Sequence, residues 1–309
     1  MKTIQQVEPR VPIESLPVVI AAPGSYYLTR DLIGVAGQHG IQITASFVTL
    51  DLNGFSLIGG PGTLSGIRAS VALTKQVTVR NGVIRDWGGS GLDAAAVSAV
   101  KVEDLGASGN GSNGISVGAG SVVTGCNATS NGAAGIIVSG SSTVARSTVA
   151  SNGTSGMVLI SGSMATDCMA QGNVTGFNLS AGSSVSRCVA RQNSTGILGT
   201  DFVTIEGCTA TSNTDDGIRV AGRSVVRGNT TNANTNDGIE ASGNENRIED
   251  NQSSSNGSGI SIFGTSNLVV KNSVSSNLSF EYLIFGGGNQ IGPISTDPTT
   301  AGPWANFDL

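Results

Sequence analysis

Apolar residues along this chain fall in pairs two positions apart, and each pair returns about twenty residues later. The clearest are Ile115/Val117, Ile136/Val138, Met157/Leu159, Ile218/Val220 and Ile260/Ile262. Alternation of this kind marks a strand with one buried face. A glycine opens each pair: Gly40, Gly66, Gly91, Gly114, Gly135, Gly156, Gly176, Gly196, Gly217, Gly238 and Gly259, in steps that settle from 26, 25 and 23 to 20 or 21 residues. Each repeat holds a second apolar pair, such as Val203/Ile205, and a third made of small residues, such as Cys188/Ala190 and Cys208/Ala210. Such a repeat is too short for two helices and their turns, and Gly and Asn are poor helix formers. Three short strands joined by corners fit. Stacked on their equivalents in the next repeat, they predict an all-β parallel solenoid of about eleven to twelve turns.

A second column supports the period. Asn110, Asn131, Asn152, Asn173, Asn193, Asn213, Asn234, Asn256 and Asn277 each follow the strands and precede the next Gly. Stacked in register, each side-chain amide can donate to the Asn one turn along, forming a structural ladder. Asn also tolerates the left-handed backbone of a tight corner, and the following Gly is expected to supply a further positive φ. Five residues before these lie Leu105, Cys126, Ser147, Cys168, Cys188, Cys208, Asn229, Asn251 and Asn272, so the cysteines are rungs of one column, expected to be reduced and inward-facing. No CxxC pair occurs, and no zinc site or other bound metal is expected from them. Sequons such as Asn152-Gly153-Thr154 fall on ladder residues, where a sugar has no room.

The period divides the chain into a cap over 1–38, the solenoid over 39–279 and a second cap over 280–309. The first segment holds Pro9, Pro12, Pro17 and Pro23; the last holds Phe280, Tyr282, Phe285, Trp304 and Phe307. Open solenoid ends are unpaired edges and need such covers.

Composition narrows function by exclusion. The chain has 309 residues, 45 of them Gly, 4% aromatic and 12% charged, with a net charge of −5. No apolar run is long enough to span a membrane. Lys2, Lys75, Lys101 and Lys271 are the only lysines and form no basic patch, so nucleic acid is not an expected partner. Met1-Lys2-Thr3-Ile4-Gln5-Gln6 lacks the apolar segment of a secretory signal, which fits either a cytoplasmic chain or one whose signal has been removed. Oligomeric state is not legible.

The stretches Pro23-Gly24-Ser25-Tyr26-Tyr27-Leu28, Gly40-Ile41-Gln42-Ile43 and Val48-Thr49-Leu50-Asp51-Leu52-Asn53-Gly54 resemble the opening of right-handed parallel β-helix proteins of the pectin-lyase-like superfamily. Asn289-Gln290-Ile291-Gly292-Pro293-Ile294 and Pro303-Trp304-Ala305-Asn306-Phe307 look like the ending of secreted bacterial members. The resemblance implies right-handedness, an extracellular or envelope address and contact with polysaccharide. It leaves three readings open: a glycan-contacting protein, a lyase or epimerase on an acidic glycan, and a passive structural or adhesion rod.

The densest polar group falls on consecutive turns, Asp215-Asp216-Gly217-Ile218-Arg219 and Asn236-Asp237-Gly238-Ile239-Glu240. Register sets Asp216 against Asp237 and Arg219 against Glu240, and Arg219 and Glu240 are expected to point outward. Asp215, Asp216, Arg219, Asp237 and Glu240 are the candidate ligand-binding residues, for a sugar or for Ca²⁺, which needs six or more oxygens. The blander reading is a turn-favouring Asp column with a surface ion pair, neutralised by Arg219 and Arg223. Arg146/Asp167/Arg187 and Glu206/Arg227/Glu249 form further charge columns, read as structural. His39, the single histidine, has no nucleophile or metal partner in its pattern, and no catalytic residue is identified.

Overall fold

A computed structural model gives the positions of residues 9–69 and 76–309; Lys2, Lys75 and the first eight residues of the expected cap lie outside them. The chain divides into two compact units, Met1–Thr154 and Ser155–Leu309. In the first, one strand of each turn joins a front sheet: Val18–Ile20, Ile41–Ile43, Ile67–Ala69, Leu92–Ala94, Ile115–Val117 and Ile136–Val138. In the second unit the front strands are Ser155–Leu159, Thr175–Leu179, Thr195–Gly199, Ile218–Val220, Asp237–Ala241, Ser258–Ile262 and Phe280–Ile284. The other two strands of a turn, such as Val122–Thr124 and Asn127–Thr129, join a back sheet. Pairing is parallel and in register, as in Ile115↔Ile136 and Ile218↔Ile239.

Among the described residues the front strands mark thirteen turns, where eleven to twelve were expected. The surplus comes from the ends. Val18–Ile20 follows Pro17 and Phe280–Ile284 follows Ser279, so neither carries the glycine that marks the other front strands, yet Val18 pairs with Ile41 and Tyr282 with Ile260.

Alternation places the apolar pairs inside. Ile115, Val117, Ile136, Val138, Met157, Leu159, Ile218, Val220, Ile260 and Ile262 are fully buried. Trp87 also lies inside the first unit, its indole Nε1 donating to Leu57 O at 3.1 Å. A Cβ at Gly34 or Gly40 would stand 2.5 or 2.6 Å from that ring, so these glycines make its slot.

The corners correct two details of the sequence reading. The left-handed residue is the one before each ladder Asn, not the Asn: Ser130, Ser151, Gln192, Ser212, Ala233, Ser255 and Ser276 have φ between 54° and 58°. The column glycines have no positive φ either. A Cβ at Gly196 would stand 2.4 Å from Gly217 O and 2.8 Å from Asn213 Nδ2, so close approach of the next turn is what excludes a side chain there.

The ladder itself is present in both units. Asn110 Nδ2 donates to Asn131 Oδ1 at 2.9 Å, and Asn131 Nδ2 to Asn152 Oδ1 at 3.0 Å. In the second unit the line runs from Asn173 through Asn193, Asn213, Asn234 and Asn256 to Asn277. It ends on the Glu281 carboxylate, which accepts from the Asn277 amide and backbone N–H. Asn229, Asn251, Asn272 and Asn306 continue the cysteine column in the same way. A third ladder, missed in the sequence, runs from Ser224 through Asn246 and Asn267 to Asn289. Its counterpart in the first unit is Ser121 and Ser142. Cys126, Cys168, Cys188 and Cys208 are free and buried, as expected.

Candidate functional site

In the second unit the register Ile197↔Ile218↔Ile239↔Ile260 aligns the outer face of the front sheet. One column then reads Thr195, Asp216, Asp237 and Ser258, and the next outward one reads Leu198, Arg219, Glu240 and Ser261. Carboxylates thus take positions where neighbouring turns carry hydroxyl or apolar side chains.

Three carboxyls converge. One oxygen from each of Asp216, Asp237 and Glu240 lies within 4.8 Å of the others. Asp216 Oδ1 accepts from Asp237 N at 3.2 Å and from Asn236 Nδ2 at 2.9 Å. Asp216 Oδ2 is buried with no hydrogen-bond donor, the Arg219 guanidinium standing 3.8 Å away. Asp237 Oδ1 accepts from Ser261 Oγ at 2.8 Å. Arg219 Nε meets Glu240 Oε1 at 3.2 Å.

Arg219 points outward as expected, its side chain 44% exposed, but Glu240 is only 7% exposed: it faces outward and is covered. Asp215 stands half-exposed at the edge, near Thr195 Oγ1 and Asn236 Nδ2. Arg223 takes no part; it pairs with Glu245 and lies over the Phe202 ring.

Desolvation dominates the electrostatics. Burial raises the Asp216 carboxyl above its usual range; the Asp215 and Asp237 charges add to this, and the Asp237 N–H and Arg219 oppose it. Burial raises Asp237 too, opposed by the Ser261 and Ser258 hydroxyls. Glu240 is pushed up to about 7, first by burial and then by the Asp216 charge, against the pull of Arg219. A carboxyl so placed can hold or release a proton near neutrality. It can equally serve as a hydrogen-bond partner for hydroxyls.

Two residues beyond Ser261 and Leu283 on this face stand Phe263 and Phe285, both exposed, with ring centroids 5.7 Å apart and planes 13° apart. Phe263 was not picked out by the repeat, because it sits one residue past the buried Ile262, where most other turns have small or polar residues such as Gly118, Ser139, Ser180, Thr200, Ala221 and Ser242. A groove of about 370 Å³ on the back sheet of this unit is lined by Arg247, Leu268, Gln290 and Trp304, with Lys271 Nζ over the Trp304 ring at 4.8 Å.

The other charge columns are pairwise. Arg187 meets Asp167 and Arg227 meets Glu206 at the surface, while Glu249 pairs with Arg247 on its own strand and Arg146 donates to Thr124 Oγ1. His39 Nδ1 accepts from Ser65 N, and burial beside Arg68 lowers its pKa below the usual value. Among the described residues no helix is long and apolar enough to cross a membrane.

The comparisons with known proteins agree on architecture. Comparison with curated proteins gave no match. The A-module of Azotobacter vinelandii mannuronan C-5 epimerase AlgE6 is similar with a TM-score of 0.65 at 14% identity, over 97% of this chain and 90% of that one. A double mutant of the periplasmic alginate epimerase AlgG gives 0.60 at 12% identity, over 94% and 79%. The catalytic domain of a GH87 α-1,3-glucanase in complex with tetrasaccharides gives 0.52 at 12% identity, over 97% and 63%. At these identities the likeness is one of fold. The pattern described as the right handed beta helix region matches residues 39–198 and 193–291, most of the sequence. With its parallel turns and stacked corner residues, the chain belongs to the right-handed β-helix family.

Proposed function

We propose that this chain binds a polysaccharide across the outer face of the front sheet of its second unit. The observation that carries the reading is an exposed phenylalanine stack on the same sheet as a charged cluster: Phe263 and Phe285 stand two residues past the row Arg219, Glu240, Ser261 and Leu283. Sugars present apolar C–H faces and hydroxyl edges, and a site that holds them combines aromatic faces with a few convergent polar groups. A passive rod has no use for three buried carboxyls, whose desolvation is costly. The similar epimerases and glucanase support the same reading, and an extracellular or envelope address goes with it. The partner is thus a glycan.

A second reading rests on Glu240. A carboxyl raised to about 7 beside a guanidinium suits proton transfer at a sugar carbon, with Arg219 offsetting a substrate carboxylate. It makes the chain a lyase or epimerase on an acidic glycan.

A glycan array with the wild type and the Phe263→Ala/Phe285→Ala double variant tests the first reading. Retention on at least one glycan, lost in the double variant, is the expected result. No retention on any glycan, or equal retention by both proteins, retires it. Incubating the retained glycan with enzyme and watching for unsaturated or epimerised products tests the second.

A further inference from the structure

The carboxyl cluster poses a problem that glycan binding does not solve. Asp216 is fully buried, Asp237 is 5% exposed and Glu240 is 7% exposed, so all three are cut off from bulk water. One guanidinium stands against them, at 3.2 Å from Glu240 and 3.8 Å from Asp216. Ionised, the group carries three negative charges against one positive. Buried charges of one sign are tolerated when paired or when they coordinate a metal.

The acidic cluster alone would not identify a ligand. The independent sign is Asp216 Oδ2. It is buried, takes no hydrogen bond from a backbone, amide or hydroxyl donor and has the Arg219 guanidinium at 3.8 Å, while its partner oxygen Oδ1 is fixed by two, Asp237 N and Asn236 Nδ2; the Glu240 carboxyl, when protonated, also bonds the Asp216 side chain. Those bonds hold the carboxylate plane, and one oxygen of Asp216 lies within 4.8 Å of an oxygen of Asp237 and of Glu240. Ser261 fixes Asp237 Oδ1 in the same manner, and the Ser258 hydroxyl also bonds the Asp237 carboxylate. Such outer hydrogen bonds orient ligand carboxylates. All donors are hard oxygens, and no Cys or His belongs to the group, which selects a hard cation over zinc or copper.

We propose that Asp216, Asp237 and Glu240 bind one hard divalent cation, with Arg219 as the internal counter-ion that the metal displaces outward. Arg219 is suited to that movement: its side chain is 44% exposed and lies on the solvent side of the two carboxyls. A dication in place of the guanidinium lowers the net charge of the group from −2 to −1, and the two cations would repel each other if both stayed. Three carboxylate ligands leave room for water, which both Ca²⁺ and Mg²⁺ accept; Ca²⁺ tolerates irregular geometry and a larger ligand number, Mg²⁺ demands a regular octahedron. The site uses the carboxyls of the proposed glycan face but does not require a glycan.

The test is calorimetric titration of the intact, chelator-treated chain with CaCl₂ and separately with MgCl₂, with no glycan present, together with thermal melts in each salt. One ion per chain and a rise in Tm with at least one of the two metals are expected. Glu240→Gln, which keeps the shape of the side chain, should weaken binding at least about tenfold, and Asp237→Asn likewise. Arg219→Ala should tighten it several-fold, because a competing cation is removed; a purely structural ion pair predicts no binding before or after that change. Absence of heat and of a Tm shift with both metals up to about 1 mM, the weak end of extracellular calcium modules, overturns the proposal. Unchanged affinity in Glu240→Gln, or weaker binding in Arg219→Ala, also overturns it. The Phe263→Ala/Phe285→Ala variant should bind the ion as the wild type does while losing glycan, so failure of either reading is visible without the other.

Discussion

Arg187 meets Asp167 at 2.8 Å beside the back sheet of the second unit, and Arg219 meets Glu240 at 3.2 Å on its front sheet. Each pair joins equivalent positions on successive turns, about one strand spacing apart. The difference is water. The Arg187 and Asp167 side chains are 65% and 46% exposed, whereas Glu240 is 9% and Asp216 0% exposed at the side chain. At the first site solvent screens a pair that side-chain entropy already weakens. At the second, one exposed guanidinium is the nearest relief for three desolvated carboxyls. Parallel stacking thus makes the same register-matched contact inert at one corner and consequential on another face.

The largest expected effect follows from removing that relief. Arg219→Ala should destabilise the fold by about 2–3 kcal/mol at pH 8, because it leaves buried carboxylates without a partner. Urea unfolding at pH 8 and pH 5 measures it; the loss should shrink at pH 5, where Glu240 is protonated. Equal losses at both pH values would mean that Arg219 acts through packing alone.

A buried neutral rung offers a second point of reference. Asn193 donates to Asn213 Oδ1 and Ala170 O, and its Oδ1 accepts from the Asn173 amide and backbone N–H. Asn193→Ala strands several of these groups and should cost about 2 kcal/mol, independent of pH between 5 and 8. An exposed control such as Ser212→Ala should lie near zero. If the two variants melt together, the ladder contributes no net stability.

The pH dependence comes next in size. Glu240 in the folded chain titrates near 7, above the usual value for an unfolded Glu. Between those values the folded chain holds a proton that the unfolded chain has released. Stability is therefore full below the unfolded pKa and falls as pH rises toward the folded one, levelling above it. Asp216 and Asp237 shift in the same direction. With chelator present, the loss from pH 5 to pH 8 should be about 1–2 kcal/mol, less than the bare shift implies because Arg219 keeps one side of the cluster near water. Glu240→Gln should flatten the profile; a wild type more stable at pH 8 than at pH 5 would contradict the burial argument.

Much of this was legible in the sequence, because a solenoid repeats its constraints. Gly217-Ile218 and Gly238-Ile239 fixed the register that sets Arg219 against Glu240, and the Asn column located the ladder. Burial was not legible: alternation says which way Glu240 faces, not that Arg219 and its neighbours cover it. The third ladder escaped because Ser121, Ser142 and Ser224 give way to Asn246, Asn267 and Asn289, a change of residue type that hides a constant hydrogen bond to the preceding turn. The positive φ was assigned to Asn rather than to the varied residue before it, since Ser, Gln and Ala carry no signal for that conformation. Phe263 was missed because it departs from the small or polar residues that most turns carry at its position.

The smallest expected effect sharpens the comparison from the other side. Asp167 holds the Arg187 guanidinium in its charged form through a hydrogen bond and Coulomb attraction, and Arg187 also donates to Thr166 Oγ1. The pair is bidentate, Arg187 Nε to Asp167 Oδ1 at 2.8 Å and Nη2 to Oδ2 at 3.0 Å, so contact distance alone would rank it above Arg219–Glu240. Exposure ranks it below. Both charged groups are well solvated when the pair opens, so nothing buried is orphaned and the freed side chains regain rotamer entropy. Arg187→Ala should leave the urea midpoint within experimental error of the wild type, at low and at high salt alike. A clear loss at low salt that high salt erases would show that surface charge columns hold the turns together after all. The front-sheet cluster would then differ from the Arg187–Asp167 pair in its acidity and not in its burial.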